Sequence, residues 1–193
     1  TACWCRRPLA RTVTLAGTGI NLALGVLYSW STIKKELPVE WGWTDFQKSL
    51  PYTAACLVFA LMMVPSGKLQ DKVGPRVVAS IGGVLTGIGM IIAALFAGSE
   101  ARLLMFVVGF GIFAGSGIGF GYASATPAAV KWFPPAKTGM IAGIVVSGFG
   151  LASVYISPLV KYLIKTFSIP ATDTAPAVSG VPTTMLILGI AFL

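Results

Sequence analysis

The sequence is poor in charged residues and contains no histidine. Charged residues make up 10% of its 193 residues, whereas hydrophobic residues make up 55%. An ordinary soluble domain carries about 25% charged residues, which cover its surface. The composition therefore excludes a soluble enzyme and indicates a protein whose surface faces lipid.

Cysteine is also scarce, which limits the possible metal chemistry. Cys3, Cys5 and Cys56 are the three cysteines, and no histidine accompanies them. Zinc sites are built from clustered cysteine and histidine ligands, so no metal site and no cofactor are expected. The net charge of +8 would suggest nucleic acid in a soluble protein. In an apolar chain, basic loops are more typical of membrane orientation, so no nucleic-acid partner is expected.

The charges are clustered and leave long uncharged segments between them. The long uncharged segments are residues 12–33, 49–67, 77–99, 103–130 and 138–160. A helix needs about 20 apolar residues to cross a membrane, and backbone groups in lipid must be hydrogen-bonded internally. The sequence therefore predicts an all-α membrane protein with five complete transmembrane helices and the start of a sixth.

Charge positions predict where these helices lie. The predicted spans are about 12–33, 45–66, 77–98, 103–126, 138–162 and 181–193, after an N-terminal tail at 1–11. Thr44 and Gln47 fit a capping box, so the second helix should start at about Asp45. Because the chain starts at Thr1 and stops within an apolar segment, we expect it to be a fragment or truncated product of a larger protein.

The distribution of basic residues predicts the orientation. With the N-terminus inside, the inner segments hold eight basic residues: Arg6, Arg7, Arg11, Lys68, Lys72, Arg76, Lys131 and Lys137. The outer segments hold six: Lys34, Lys35, Lys48, Arg102, Lys161 and Lys165. Cytoplasmic loops carry an excess of Lys and Arg. We therefore expect a multi-pass protein of the plasma or inner membrane with a cytoplasmic N-terminus and tail.

The segment GFGIFAGSGIGFGYASA, residues 109–125, superficially matches a dinucleotide-binding fingerprint. That fingerprint needs a preceding strand and an acid about 20 residues further on, but neither Asp nor Glu occurs between Glu100 and Asp173. Small residues at every fourth position instead favour close packing of membrane helices. The residues in this pattern are Gly111, Gly115 and Gly119 in the fourth helix and Gly139, Gly143 and Ser147 in the fifth.

Asn21 is the only asparagine and lies in the middle of the first predicted helix. Asn21, Gly25 and Tyr28 are spaced so that they share one helical face. Asn21 could form an interhelical hydrogen bond, worth about 0.6 kcal/mol in membranes, or line a polar cavity, and the sequence leaves both open. The span interiors carry no charged residue, although ion-driven transporters usually have one there. Either the charged residues lie elsewhere or the substrate is neutral.

The segment GKLQDKVGPR, residues 67–76, is more specific than a basic loop. An ordinary loop would account for the basic residues but not for Asp71 or the spacing of Gly67 and Gly74. The segment fits Gly-x-Leu-x-Asp-(Arg/Lys)-x-Gly-x-(Arg/Lys), a signature between the second and third helices of the major facilitator superfamily. It lies between the second and third predicted helices here, and the chain therefore resembles that superfamily.

Other segments narrow this resemblance. NLALGVLYSWS, GSGIGFGYASATPAAVKWFP and TGMIAGIVVSGFGLAS resemble the oxalate/formate antiporter family over about residues 17–160. The chain resembles the monocarboxylate transporters less closely. The resemblance implies a twelve-helix transporter of two six-helix halves, with the substrate bound between them at mid-membrane. This chain would be the N-terminal half, with the lipid bilayer, the second half and a small carboxylate as its partners.

The resemblance also implies which residues face the substrate. Tyr28 and Tyr122 match cavity aromatics of the family, and Asn21 shares the face of Tyr28. Phe149 stands where dicarboxylate-binding relatives can have tyrosine, and the second helix has no interior glutamine. A smaller carboxylate such as formate, pyruvate or lactate is therefore expected as readily as oxalate.

The signature loop is expected to form a cytoplasmic gate and not a binding site. Gly67 should end the second helix, Gly74 should form the tight turn, and Asp71 should lie near the positive end of a neighbouring helix. Lys72 and Arg76 should hold the loop at the membrane face. Two functions remain open: secondary transport of small organic anions, or a membrane helix bundle without transport activity of its own.

Overall fold

The computed structural model describes residues 6–38, 41–168 and 179–193, and these residues form helices without any strand. We number six helices along the chain. α1 comprises Arg6–Leu24, a 3-10 turn at Gly25–Tyr28 and Ser29–Ile33, α2 is Asp45–Val73 and α3 is Pro75–Leu95. α4 comprises Arg102–Phe106, a π-helical segment Val107–Ala114 and Gly115–Val130, α5 is Thr138–Phe167 and α6 is Val181–Ala191. The first five are long and apolar enough to cross a membrane, which confirms the predicted fold class.

Several helices are longer than the predicted spans. α1 already includes residues 6–11, so the described part of the predicted tail is helical, while its cytoplasmic location stays a prediction. α2 continues to Val73, α4 to Val130 and α5 to Phe167. Charge positions indicate where a chain leaves lipid, but backbone hydrogen bonds continue until a residue breaks their geometry. The helices therefore extend beyond the apolar segments.

The start of α2 confirms the predicted capping box. The Thr44 hydroxyl oxygen accepts a hydrogen bond of 3.3 Å from the backbone N–H of Gln47. The Gln47 side-chain oxygen accepts one of 2.9 Å from the backbone N–H of Thr44. This exchange satisfies two donors that would otherwise lack partners, and α2 begins at Asp45 as predicted.

Glycines allow α4 to lie directly against α2. A Cβ atom added to Gly111 would lie 2.8 Å from the Cβ atom of Ala54, and one added to Gly115 would lie 2.8 Å from the Ala55 carbonyl oxygen. A Cβ atom on Gly119 would lie 3.0 Å from the Phe59 carbonyl oxygen. These distances are below normal van der Waals contact, so the predicted packing role of the three glycines is confirmed.

The small residues of the corresponding pattern in α5 do not lie against another described helix. A Cβ atom on Gly139 or Gly143 would meet no atom within 4 Å in the described part of the chain. Ser147 is exposed and donates its hydroxyl to the carbonyl oxygen of Ile144 in its own helix. The three residues lie on the uncovered side of α5, so they make no close helix contact within the described bundle, and their packing role stays a prediction.

The six helices cover one another unevenly. Among the candidate spans, 17% of the most apolar window of α2 and 28% of that of α5 are buried, against 44–50% for α1, α3 and α4. The uncovered apolar side chains include Leu57, Leu61 and Val64 on α2 and Met140, Leu151 and Val154 on α5. Of the five candidate spans, α2 and α5 are therefore the two that the bundle covers least.

Candidate functional site

Four aromatic side chains, one from each of four helices, pack together, with Phe149 in contact with the other three. The ring centroid of Phe149 in α5 lies 5.3 Å from that of Tyr28 in α1 and 5.4 Å from that of Tyr122 in α4, both edge to face. Phe59 of α2 stacks 6.3 Å from Phe149 and lies edge to face at 5.5 Å from Tyr122. We refer to Tyr28, Phe59, Tyr122 and Phe149 as the aromatic cluster.

The aromatic cluster is positioned by close helix packing and remains accessible. All four side chains are half-buried. Gly25 lies one turn before Tyr28, and a Cβ atom there would collide with the Cβ atom of Ala152 in α5. Because this glycine lets α1 approach α5, Tyr28 can reach Phe149. The structure thus brings together the three aromatic residues selected from the sequence, while their role in substrate binding stays a prediction.

Phe59 was not found by sequence reasoning. It lies in the apolar run CLVFALMM, where a phenylalanine is as typical of lipid contact as of a site. Only the packing of α2 against α4 shows that Phe59 lies beside Tyr122. Neither periodicity nor a motif in the sequence indicated this contact.

Asn21 is fully buried and joins α1 to α5. Its Nδ2 group donates a hydrogen bond of 2.8 Å to the carbonyl oxygen of Val145. Its Oδ1 atom is buried without a hydrogen-bond partner among the described residues. The interhelical hydrogen bond considered from the sequence is therefore present, while a contact between Asn21 and substrate stays a prediction.

The signature loop is shorter than expected. Gly67 lies within α2, which continues to Val73, so the prediction that Gly67 ends the helix is wrong. Gly74 has a φ of 88°, which disfavours other residues, and Pro75 starts α3 at once. A glycine inside a helix costs only about 1 kcal/mol relative to alanine, so Gly67 does not force an end. Gly74 forms the predicted tight turn.

The charged residues of the loop are exposed and interact weakly. The Asp71 carboxylate lies 3.4 Å from the Lys131 ammonium, and their side chains are 72% and 68% exposed. Exposed ion pairs contribute about 0–1 kcal/mol. Lys131 is the C-cap residue of α4, and the expected position of Asp71 near a positive helix end stays a prediction. Lys72 and Arg76 are exposed.

Two uncharged polar side chains near the end of α2 are buried. Ser66 is fully buried, and its hydroxyl donates a 3.3 Å hydrogen bond to the Phe120 carbonyl oxygen in α4. Gln70 is 5% exposed, and its Oε1 atom has no hydrogen-bond partner among the residues described. Gln70 occupies a variable position of the signature, so the signature did not indicate a role for it.

The described residues contain no group of three or more histidine, cysteine or acidic residues that could hold a metal ion. The site is therefore made of aromatic rings, hydroxyl groups and one buried amide. It can contact a small ligand with ring edges and hydroxyl donors, but it offers no cation of its own.

The architecture defines a polytopic membrane protein built as a helix bundle. The sequence model of the Major Facilitator Superfamily matches residues 11–193. The chain therefore belongs to the major facilitator superfamily.

Individual relatives are membrane transporters by name. The chain is 29% identical to the uncharacterized MFS-type transporter YhjX of Escherichia coli (strain K12), over 84% of this chain and 39% of that protein. It is 27% identical to the oxalate:formate antiporter of Oxalobacter formigenes, over 88% of this chain and 38% of that protein. It is 32% identical to monocarboxylate transporter 11 of Mus musculus, over 80% of this chain and 34% of that protein. The chain thus spans less than two fifths of the length of each relative.

Proposed function

We propose that the chain is the N-terminal half of a secondary active transporter that moves small organic anions by alternating access. The observation that carries this proposal is the aromatic cluster, to which α1, α2, α4 and α5 each contribute one half-buried ring. Substrate sites in such transporters lie at the interface of two repeats. A half-buried cluster on one repeat suits that arrangement.

The chemistry of the aromatic cluster suits a small carboxylate. The edges of aromatic rings carry partial positive charge, and the hydroxyl groups of Tyr28 and Tyr122 can donate hydrogen bonds to an anion. The names of two relatives, an oxalate:formate antiporter and a monocarboxylate transporter, refer to substrates of this class. Phe149 lacks a hydroxyl group, which favours a small monocarboxylate over a ligand that is polar at both ends.

A second helix bundle would supply what this one lacks. Transfer of a bare carboxylate from water costs several kcal/mol unless a cation compensates for it. The charged residues of the candidate spans lie near the helix ends, so we assign the compensating cation to the second half. The uncovered faces of α2 and α5 offer the apolar area against which a second half can pack.

The signature loop is assigned to gating. In the proposed orientation the N-terminus is cytoplasmic, and the plasma or inner membrane holds the protein. The turn at Gly74, with Gly67, Asp71, Lys72 and Arg76, then lies on the cytoplasmic side. The exposed Asp71 carboxylate is free of strong partners in the described bundle, so it can exchange its contact with Lys131 for one with the second half during alternating access.

Exchange in proteoliposomes tests the proposal. Proteoliposomes that contain the full-length protein are loaded with unlabelled formate, pyruvate, lactate or oxalate. They should accumulate the labelled anion above the level of empty vesicles. Vesicles that contain an unrelated membrane protein are the control. Absence of counterflow with every small carboxylate, from correctly folded protein, would favour a helix-bundle module without transport activity.

A further inference from the structure

A second polar feature lies between the end of α1 and the start of α2. It is an open cleft of about 180 Å³, which we name the Lys34 cleft, lined by Tyr28, Trp30, Ser31, Lys34, Ser49 and Tyr52. Drug-sized ligands occupy pockets of about 300–1,000 Å³, so this cleft suits a ligand of only a few heavy atoms. It lies at the end of the bundle opposite the turn at Gly74.

Hydrogen bonds fix the walls of the Lys34 cleft. The indole N–H of Trp30 donates to the Lys48 carbonyl oxygen at 2.9 Å, and the Lys34 ammonium donates to the Ser49 hydroxyl oxygen at 2.8 Å. The Ser49 hydroxyl in turn donates to the Asp45 carbonyl oxygen at 2.9 Å. The position of the ammonium is thereby set by α2 and not by solvent alone.

The charge of the Lys34 cleft suits an anion. An ammonium group has three N–H donors, and one of them is used by Ser49. The lining contains neither Asp nor Glu, and Lys34 forms no ion pair with a carboxylate in the described part of the chain. The half-buried ammonium therefore keeps both donors and positive charge available inside a cleft bordered by hydroxyl groups.

The Lys34 cleft and the aromatic cluster share one residue, Tyr28. Tyr28 lines the cleft, and its ring also lies 5.3 Å from the ring of Phe149. A ligand bound beside Lys34 therefore touches a side chain that belongs to the aromatic cluster. This connection distinguishes Lys34 from a lysine that merely extends to the membrane surface.

We propose that the Lys34 cleft is a first binding site for the carboxylate group of a small organic anion, which passes from it to the aromatic cluster. Lys34 supplies the charge and its two remaining N–H donors, and the Tyr28 hydroxyl can donate a further hydrogen bond. The Ser31 and Ser49 hydroxyls donate to the carbonyl oxygens of Tyr28 and Asp45. The onward passage rests on the proposed transport function, whereas binding in the cleft does not. In the proposed orientation, this site faces the outside of the cell.

The next residue along the chain provides a matched control. Lys35 lines a different pocket of about 190 Å³ together with Thr32, Glu36 and Lys161. In that pocket the carboxylate of Glu36 competes with an added anion for the two lysines, and the lining has no aromatic residue. Ser31 with Lys34 and Thr32 with Lys35 are therefore equivalent pairs of which only the first should bind the anion.

Protection of an introduced cysteine measures occupancy without transport. On a background without native cysteines, Ser31→Cys and Thr32→Cys would be labelled in the purified full-length protein by a neutral maleimide. Pyruvate or formate should slow labelling at position 31 and leave position 32 unchanged. Lys34→Gln should remove this protection, Lys34→Arg should keep it, and Lys35→Gln should have no effect.

Transport kinetics provide the second readout. Lys34→Gln should raise the KM for external carboxylate about tenfold or more, since a hydrogen bond to a charged group is lost, and should change the maximal rate less. Ser49→Ala removes the partner of Lys34 but keeps its charge, so it should affect KM less than Lys34→Gln. Equal effects of Ser49→Ala and Lys34→Gln would indicate a merely structural role and overturn the proposal.

The two proposals fail in different ways. If pyruvate protects position 31 but wild-type protein transports no carboxylate, the transport function is wrong and the binding site stands. If wild-type protein transports carboxylate while neither pyruvate nor formate protects position 31, the binding site is wrong. Equal KM values for Lys34→Gln, Lys35→Gln and wild type would also overturn it.

Discussion

The ring of Phe149 in α5 lies edge to face against the ring of Tyr28 in α1, with 5.3 Å between the ring centroids and 61° between the ring planes. Tyr122 approaches the same phenylalanine from α4 at 5.4 Å. Phe149 is thus the side chain through which both tyrosines are positioned. Aromatic pairs of this kind contribute about 0.5–1.5 kcal/mol beyond their buried area.

The first prediction concerns this arrangement. In the full-length protein, Tyr28→Ala and Tyr122→Ala should each impair uptake of a small carboxylate strongly, because each removes a ring edge and a hydroxyl donor. Phe149→Ala should impair uptake as well, since both tyrosines lose their packing partner. Initial rates of labelled formate or pyruvate uptake, normalised to protein at the membrane, provide the measurement.

Phe96→Ala is the matched control for these variants. Phe96 is the C-cap residue of α3 and is 46% exposed. It makes none of the ring contacts of the aromatic cluster. Its variant should transport at close to the wild-type rate. Wild-type rates for both tyrosine variants would show that the aromatic cluster is not part of the substrate path.

Part of this site was predictable, and the reason differs between residues. Tyr28, Tyr122 and Phe149 each lie in a segment that resembles a known family, so their place in the site could be predicted from that resemblance. Phe59 has no motif, and its place in the aromatic cluster depends on the contact of α2 with α4. Lys34 was counted only as a basic residue at a helix end, because its hydrogen-bond partner Ser49 comes from α2.

The helix ends show the same division between local and tertiary information. Asp45 was predicted as the start of α2 because a capping box needs only Thr44 and Gln47, which are neighbours. Gly67 was mistaken for the end of α2 because the charges begin there, whereas the chain bends only where φ becomes positive, at Gly74. Charge marks the edge of the lipid, and backbone conformation marks the end of a helix.

The second prediction tests the orientation. Cysteine replacements at Lys72 and Lys137 should be protected from an impermeant thiol reagent in intact cells, whereas those at Lys35 and Arg102 should be labelled. The two pairs lie at opposite ends of the helices they flank. The background lacks the native cysteines, and permeabilised cells provide the control for accessibility. Labelling of positions 72 and 137 alone would invert the proposed topology.

The third prediction concerns helix packing. A Cβ atom on Gly117 in α4 would collide with the Gly82 carbonyl oxygen and the Thr86 side chain of α3. Overpacking of this kind costs about 1–3 kcal/mol, so Gly117→Ala should lower the thermal midpoint of the 193-residue chain in detergent. Gly143→Ala meets no neighbour within 4 Å and should leave the midpoint unchanged or raise it. A lower midpoint for Gly143→Ala than for Gly117→Ala would contradict the described packing.

The fourth prediction separates stability from gating. The ion pair of Asp71 and Lys131 is exposed on both sides, so Lys131→Gln should change the thermal midpoint little, as expected for a contribution of about 0–1 kcal/mol. Asp71→Asn should change stability equally little but should reduce transport, because the proposed gate needs its charge. Transport by Asp71→Asn at the wild-type rate would remove Asp71 from the gating role.

The last prediction concerns the 193-residue chain by itself: it should insert into a membrane but transport nothing. Five helices meet the length and apolarity for insertion, so circular dichroism of the purified chain in detergent should show a helical protein. The uncovered sides of α2 and α5 should make it self-associate, which light scattering after chromatography would detect.

Transport by this chain alone should fail for two physical reasons. A carboxylate at mid-membrane needs a compensating cation, and Lys34 lies at the end of α1 and not in the interior of the bundle. Alternating access also needs two bundles that move about a shared site, and the described helices form one. Liposomes with the chain alone should therefore show no exchange of labelled formate, pyruvate or oxalate above empty vesicles. Co-expression with a second half of the full-length protein should restore exchange, whereas robust counterflow by the chain alone would overturn the assignment of the cation to that second half.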